Sequence, residues 1–204
     1  MEDMVIKKSF WKGRRVLITG HTGFKGGWLS LWLTKLGAKV YGYAIDPPNS
    51  PSFFKEAKVE SFIEKSIYGN ILDIELFTKK MLDISPEIVI HMAAQSLVKD
   101  SYSNPKLTLS TNIMGTVNLF EAIRKTPSVK AILNITSDKC YENNETDIGY
   151  TEKDPMGGFD PYSSSKGCSE LISSAYRNSF FQNEGVALAT GRAGNVIGGG
   201  DWAK

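Results

Sequence analysis

Short apolar runs alternate with stretches whose apolar residues recur every three or four positions, and this alternation runs from Arg15 to Thr190. Arg15–Thr19 (RVLIT), closed by Gly20, reads as a buried strand. Residues 25–36 then carry Trp28, Leu29, Leu31, Trp32, Leu33 and Leu36 at helical spacing, and Gly37 is a helix stop. Residues 39–45 (KVYGYAI) form a second strand that ends at Asp46-Pro47-Pro48, followed by a looser stretch with one short helix. A third strand is expected over 61–68, a helix over 74–82 and a fourth strand over 87–92 (EIVIHM), apolar enough to be covered on both faces. A long helix over 107–125, a fifth strand over 130–136, a polar loop over 140–160, a second long helix over 161–183 and a sixth strand over 186–190 complete the pattern. Strands that alternate with helices over short connections build parallel βαβ units. The expected class is therefore α/β, a doubly wound parallel (Rossmann) sheet with its ligand crevice at the carboxyl ends of the strands.

Composition narrows the function classes. With 204 residues, 41% hydrophobic and 23% charged, the chain suits one sizeable domain and excludes disorder, collagen and a disulfide scaffold. Its 24 Lys+Arg against 22 Asp+Glu leave no basic block, which argues against nucleic acid as a partner. Cys140 and Cys168 lack metal-ligand spacing, so no metal site is expected, and the pair fits a reducing, cytoplasmic setting. Residues 1–15 lack the apolar stretch of a secretory signal, and no apolar run approaches a membrane span. The sequence stops just after Gly198-Gly199-Gly200, a loop that would ordinarily lead into further structure. Residues 1–204 are thus expected to form the NAD-binding domain, with most of a substrate-binding lobe beyond residue 204.

Between the first strand and the first helix lies Gly20-His21-Thr22-Gly23-Phe24-Lys25-Gly26, a GxxGxxG spacing. Glycines let the backbone turn tightly and approach a pyrophosphate, while the helix N-terminus supplies N–H groups and a positive dipole end. The spacing alone is a weak signal; its place after a strand and before a helix makes it a dinucleotide loop. Asp46, 20 residues beyond Gly26, ends the second strand where an acid can hold the adenosine ribose hydroxyls. No Arg stands at that position, which favours NAD over NADP.

Tyr162-Ser163-Ser164-Ser165-Lys166 is a YxxxK match at a helix start, with Asp160 as N-cap and Pro161 in the first turn. Tyr162 and Lys166 then lie one turn apart on one face. A nearby ammonium is expected to lower the Tyr162 pKa, so that the phenol can take a proton from a substrate hydroxyl. A second match, Tyr102 to Lys106, encloses Pro105 and does not fit one helix. Ser137 follows the fifth strand and can hydrogen-bond the same hydroxyl. His91, in an apolar strand, reads as a core histidine.

These residues resemble the extended short-chain dehydrogenase/reductase family of nucleotide-sugar epimerases and dehydratases. The resemblance rests on TGHTGFKG (19–26), HMAAQS (91–96), TNIMGT (111–116), ITSDKCY (135–141), PYSSSK (161–166) and GRAGNVIGGGDW (191–202). Within the family, Asp138-Lys139 resembles the branch of 4,6-dehydratases that act on CDP-glucose; epimerases and reductases usually lack that pair. The resemblance implies a redox-neutral lyase reaction of deoxysugar biosynthesis: C4 oxidation by NAD with Tyr162 as base, loss of water across C5–C6, and return of the hydride to C6. It gives Ser137, Tyr162 and Lys166 to the first step, and Asp138 and Lys139 to the departing 6-hydroxyl and the C5 proton. Lys139 must then be neutral, which calls for burial or nearby cations. It also implies that Ala93 and Ala94 line the nicotinamide-ribose side and that Gln95, Ser96, Asn112 and Asn195 meet the nucleotide sugar. Asn70-Ile71 falls where relatives usually have Asp-Ile beside adenine, so one adenine hydrogen bond is weakened. Relatives pair their two long helices into a homodimer or a higher homo-oligomer. Two readings stand beside the dehydratase: a nucleotide-sugar epimerase or reductase, and a dinucleotide-binding regulatory module without turnover.

Overall fold

The structure, a computed structural model, describes residues 7–145 and 147–202. Part of the leader expectation falls on residues 1–6, outside the described residues. After a short helix α1 (Lys8–Trp11), strand β1 (Arg15–Thr19) leads into α2 (Phe24–Lys35), β2 (Lys39–Ala44), α3 (Phe53–Glu56), β3 (Lys65–Tyr68) and α4 (Ile74–Ile84). The second half runs β4 (Ile88–His91), α5 (Val98–Ser103), α6 (Pro105–Leu109), α7 (Gly115–Arg124), β5 (Ala131–Ile135), α8 (Pro161–Tyr176) and β6 (Ala187–Gly191). All six strands are parallel, in the order β3-β2-β1-β4-β5-β6. The chain winds outward from β1 in one direction, returns, and winds outward from β4 in the other. The doubly wound Rossmann sheet expected from the sequence is the observed fold, and its crevice lies between the ends of β1 and β4.

Successive strand residues face opposite sides of the sheet, so each strand feeds two cores. Leu17 packs with Tyr43, Phe77, Met81, Val89 and Phe120 on the side covered by α4, α7 and α8. Its neighbours Val16 and Ile18 pack with Leu33, Val40, Phe54 and Ile90 on the side covered by α2 and α3. Each fully buried side chain of this size contributes about 1.5–3 kcal/mol.

Four elements differ from the sequence reading. The third strand is only Lys65–Tyr68, because Val59–Ser61 forms a 3-10 turn and Ile63 drops into the core. The helix expected over 107–125 begins at Pro105, is preceded by α5, and contains a π-helical stretch at Ser110–Met114. The helix expected over 161–183 is α-helical to Tyr176 and then turns through a second π stretch, Arg177–Phe181, which buries Phe181. In α2 the buried face is made of Gly26, Gly27, Ser30 and Leu33, while Trp28 and Trp32 stand about half exposed. Small residues let this helix sit close against β1.

Gly26 is the tightest point of that approach, since a Cβ there would collide with the Gly20 carbonyl. The obstacle is backbone and has no rotamer to yield. Gly26→Ala is expected to lower stability by about 1–3 kcal/mol, read as a lower urea midpoint with an unchanged m-value.

Candidate active site

The glycine loop follows from β1 ending in mid-sheet. Gly20 takes a φ of +78°, and a Cβ there would lie 2.7 Å from the Met92 carbonyl carbon and the Ala93 nitrogen, so the loop turns against the exit of β4. Helix α2 begins at Phe24, with Gly23 as an N-cap that offers no side-chain oxygen. The first turn of α2 is therefore not capped by a side chain, whereas α4 and α8 are capped by Asp73 and Asp160. A Gly-lined approach to an uncapped helix start is the geometry a pyrophosphate needs, so these residues fit a dinucleotide. Asp46 stands exposed just past β2. Thr22 donates to the Ile45 carbonyl at 2.9 Å and braces the loop against the end of β2.

His21 has a different role from the rest of the loop. Its ring is fully buried, shares a 2.7 Å hydrogen bond with the Ser66 hydroxyl, and packs edge-on to Phe54. Burial, opposed by the Tyr43 backbone, pushes its pKa down to about 4. The imidazole is thus a neutral core group, and only the backbone of His21 remains for the cofactor side.

Opposite the loop, Asp160 caps α8 by accepting from the Tyr162 and Ser163 amides at 2.9 and 3.0 Å. Tyr162 and Lys166 are both buried, and the Lys166 ammonium donates to the Ile135 carbonyl at 3.2 Å. Burial, reinforced by the charge of Lys25 and opposed by Glu170, lowers the Lys166 pKa to about 8. The expected lowering of the Tyr162 pKa is reversed. Burial raises it, the Ser137 hydrogen bond opposes, and the charges of Asp138 and Asp160 raise it further. Taking a phenol out of water disfavours the phenolate, and the two carboxylates deepen that effect.

Beyond β5 the chain leaves strand geometry at once. Asp138–Cys140 forms a 3-10 turn capped by Ser137, whose hydroxyl accepts from the Lys139 amide at 3.2 Å and donates to Asp138 at 3.1 Å. The turn lets Ser137 and Asp138 address the same crevice, which adjacent strand residues could not do. Lys25 reaches in from α2, half-buried; burial lowers its pKa, and Asp138 opposes this. Lys139 is exposed, so the burial that the sequence reading required for it is not supplied by the described residues.

Asn112 sits in the π stretch, and its amide is committed inside the protein. It accepts from the Gln95 amide at 2.9 Å and donates to the Gln95 carbonyl at 3.0 Å and to Ser165 at 2.8 Å. It braces α8 against the β4 exit instead of facing substrate. Gln95 spends its side-chain amide on the Leu97 carbonyl at 3.1 Å, while Ser96 is exposed. Ala93 and Ala94 line the β4 exit, half-buried. Asn70 is exposed, with its side-chain oxygen accepting from the Leu72 amide at 3.0 Å, and Ile71 is core. His91 is buried against Thr19 at 2.7 Å, with its pKa held near 3 by burial and then by Lys166. Asn195 is exposed in residues 192–202, which cross from β6 back to α2, where Trp28 donates to the Gly199 carbonyl at 3.0 Å. Glu170 and Arg192 are site residues that the sequence reading missed. The first is visible as Lys166-x-x-x-Glu170, one turn along α8; the second has no local signature.

Residues 17–197 match the family model described as GDP-mannose 4,6 dehydratase. The chain is 57% identical over 98% of its length to a CDP-glucose 4,6-dehydratase of Salmonella typhimurium, covering 57% of that protein. A dTDP-D-glucose 4,6-dehydratase of Dictyostelium discoideum is 30% identical over 91% of the chain, which covers 44% of it. The chain thus spans about half the length of the curated relatives it matches. Among solved structures, a UDP-glucose 4-epimerase of Thermus thermophilus in complex with NAD superposes with a TM-score of 0.72 at 25% identity, over 87% of this chain and 54% of that one.

The depressed Lys166 pKa gives a stability signature. A folded lysine near 8 binds fewer protons than the unfolded one at 10.5, so stability rises with pH across that window. Urea midpoints of wild type and Lys166→Met, measured from about pH 7 to 10.5, are expected to diverge in favour of the wild type as pH rises.

Proposed function

The chain belongs to the GDP-mannose 4,6 dehydratase family, and on that premise we propose that it forms the NAD-binding and catalytic part of a nucleotide-sugar 4,6-dehydratase that converts CDP-glucose to CDP-4-keto-6-deoxyglucose. The observation that carries this reading is the convergence of Ser137, Asp138, Tyr162 and Lys166 on one crevice beside an uncapped, glycine-lined helix start. The similarity to the Salmonella typhimurium protein supports CDP-glucose over other nucleotide sugars.

NAD, when bound, supplies the hydride acceptor for sugar C4 and the hydride donor for C6. Residues 20–26 would hold its pyrophosphate through backbone N–H groups, Asp46 its adenosine ribose, and Ala93 and Ala94 the wall beside the nicotinamide ribose. Ser137 orients the 4-hydroxyl, and Tyr162 takes its proton. Because the surroundings of Tyr162 disfavour its phenolate, the ammonium groups of Lys166 and Lys25 are the cations with which this chain offsets that cost. Once C4 is a ketone, the C5 proton is acidified. Lys139 then holds the base position and takes the C5 proton, while Asp138, in its protonated form, gives a proton to the departing 6-hydroxyl, which leaves as water.

Lys139 stands exposed on its turn, so the sugar and a substrate lobe beyond residue 204 have to cover it. The outward-facing side chains of Phe159 and Ile197 support such a lobe. Leu107, Met114 and Leu171, exposed along the two long helical segments, support a homo-oligomeric contact. Unpaired Cys140 and Cys168 support a cytoplasmic setting.

The test is an assay of the full-length protein with CDP-, dTDP-, GDP- and UDP-glucose, following 4-keto product without added reductant. CDP-glucose is expected to be turned over fastest; turnover of none would refute the reading. Tyr162→Phe is expected to lower kcat by about 10²- to 10⁴-fold while NAD binding, measured by calorimetry, stays near wild type. Lys139→Ala is expected to block product while leaving NAD binding unchanged, and near-normal dehydration by it would place the base elsewhere.

A further inference from the structure

Glu170 lies four residues beyond Lys166, one turn along α8, and is only 4% exposed. A carboxylate buried this deeply is tolerable only when fully hydrogen-bonded, and its donors come from the ends of two strands. Oε1 accepts the Thr136 hydroxyl in a very short hydrogen bond, while Oε2 accepts Thr190 at 2.9 Å and Arg192 Nη2 at 3.2 Å. Burial works against its charge, but the bonds from Arg192, Thr136 and Thr190 hold the carboxyl below its ordinary range.

The second arm of Arg192 carries this linkage further. Nη1 donates to the Tyr141 hydroxyl at 2.9 Å, and the guanidinium lies 4.9 Å from the centre of the same ring. Thr136 immediately precedes Ser137, and Tyr141 immediately follows Cys140. The turn that bears Asp138 and Lys139 is therefore held on both sides by groups that meet at one carboxylate. Buried ion pairs add little net stability compared with apolar packing, so a stability role alone does not account for this arrangement.

We propose that Glu170 is a positioning residue: its carboxylate clamps both flanks of the Asp138–Cys140 turn and presents a compensating negative charge to Lys166. This rests on the dehydratase reading for its kinetic consequence. The charged and titratable groups facing Lys166 are Lys25 from α2, His91 from β4, and Tyr162 and Glu170 from its own helix. Glu170 is the only anion among these four, so its removal leaves Lys166 facing a cation and two uncharged rings.

The experiment measures pH profiles of kcat and kcat/KM for the full-length protein with NAD and CDP-glucose, comparing wild type, Glu170→Gln and Glu170→Asp. Glu170→Gln keeps the shape and loses the charge. Its alkaline limb is expected to move down by about one pH unit, and its kcat to fall about ten- to a hundredfold with KM little changed. Glu170→Asp keeps the charge and shortens the reach; its limb is expected to stay in place while kcat falls. A Glu170→Gln protein with wild-type kcat and an unmoved limb overturns the proposal. If Glu170→Gln does not fold, Tyr141→Phe, which deletes one hydroxyl, decides: a kcat lowered severalfold at unchanged KM supports the clamp, and wild-type kcat overturns it. If the wild type turns over no nucleotide sugar, the dehydratase reading fails separately. The onset of the rise in urea midpoint above pH 8 then tests the Glu170–Lys166 pairing directly. Onset at lower pH in Glu170→Gln, or in the double variant Glu170→Met/Arg192→Met if the former does not fold, supports it, and an unchanged onset overturns it.

Discussion

The buried hydroxyl of Thr19 is where the two halves of the sheet are joined. β1 pairs with β2 on one side and β4 on the other, and Thr19 stands opposite both Tyr43 and His91. Its hydroxyl meets His91 Nδ1 at 2.7 Å and accepts from the Met92 and Ala93 amides at 3.2 Å each. One side chain thereby satisfies the backbone of β4 at the point where that strand stops. Immediately beyond it the two chains part, one into the glycine loop and the other into residues 93–96. A crevice at this place follows from parallel strands whose order reverses between β1 and β4, and Thr19 keeps its base closed and dry.

Helix α8 forms the other wall, and its buried face is polar. Ser165, Ser169 and Ser173 are fully or almost fully buried, and Asn134 donates to the last two at 3.0 and 2.9 Å. Such a helix has no freedom to slide, because each displacement would strand several polar groups without partners. The result is a rigid mount for Tyr162 and Lys166. The same dryness raises the phenol pKa and lowers the ammonium pKa, so burial favours the less-charged form of each relative to water. Charge entering the crevice therefore acts on them at low dielectric, where it acts strongly.

The fold was legible because strands covered on both faces read as continuous apolar runs, and β1, β4 and β5 lie within a residue or two of their expected bounds. The departures arise where tertiary packing overrides local pattern. Trp28 and Trp32 look like core residues in the sequence, yet the loop needs α2 close to β1, so Gly26, Gly27 and Ser30 take the buried face. The π stretch at Ser110–Met114 has no periodic signature; it shifts the helix so that Asn112 can clasp Gln95 and Ser165. In the site, the glycine loop and the Tyr162–Lys166 pair carry local spacing and could be read. His21, inside the loop motif, was legible as backbone only, since its ring is claimed by Ser66 and Phe54. Arg192 could not be read, because its partners Glu170 and Tyr141 come from other elements.

We propose that residues 20–26 and the Ser137–Tyr162–Lys166 cluster form two walls of one cofactor site. A crystal structure of the protein grown with NAD tests it most directly. The predicted result has the pyrophosphate about 3 Å from backbone N–H groups at the start of α2 and the nicotinamide ring between Ala93 and Tyr162. NAD bound at any other face, or electron density showing the crevice empty at saturating NAD, would contradict it.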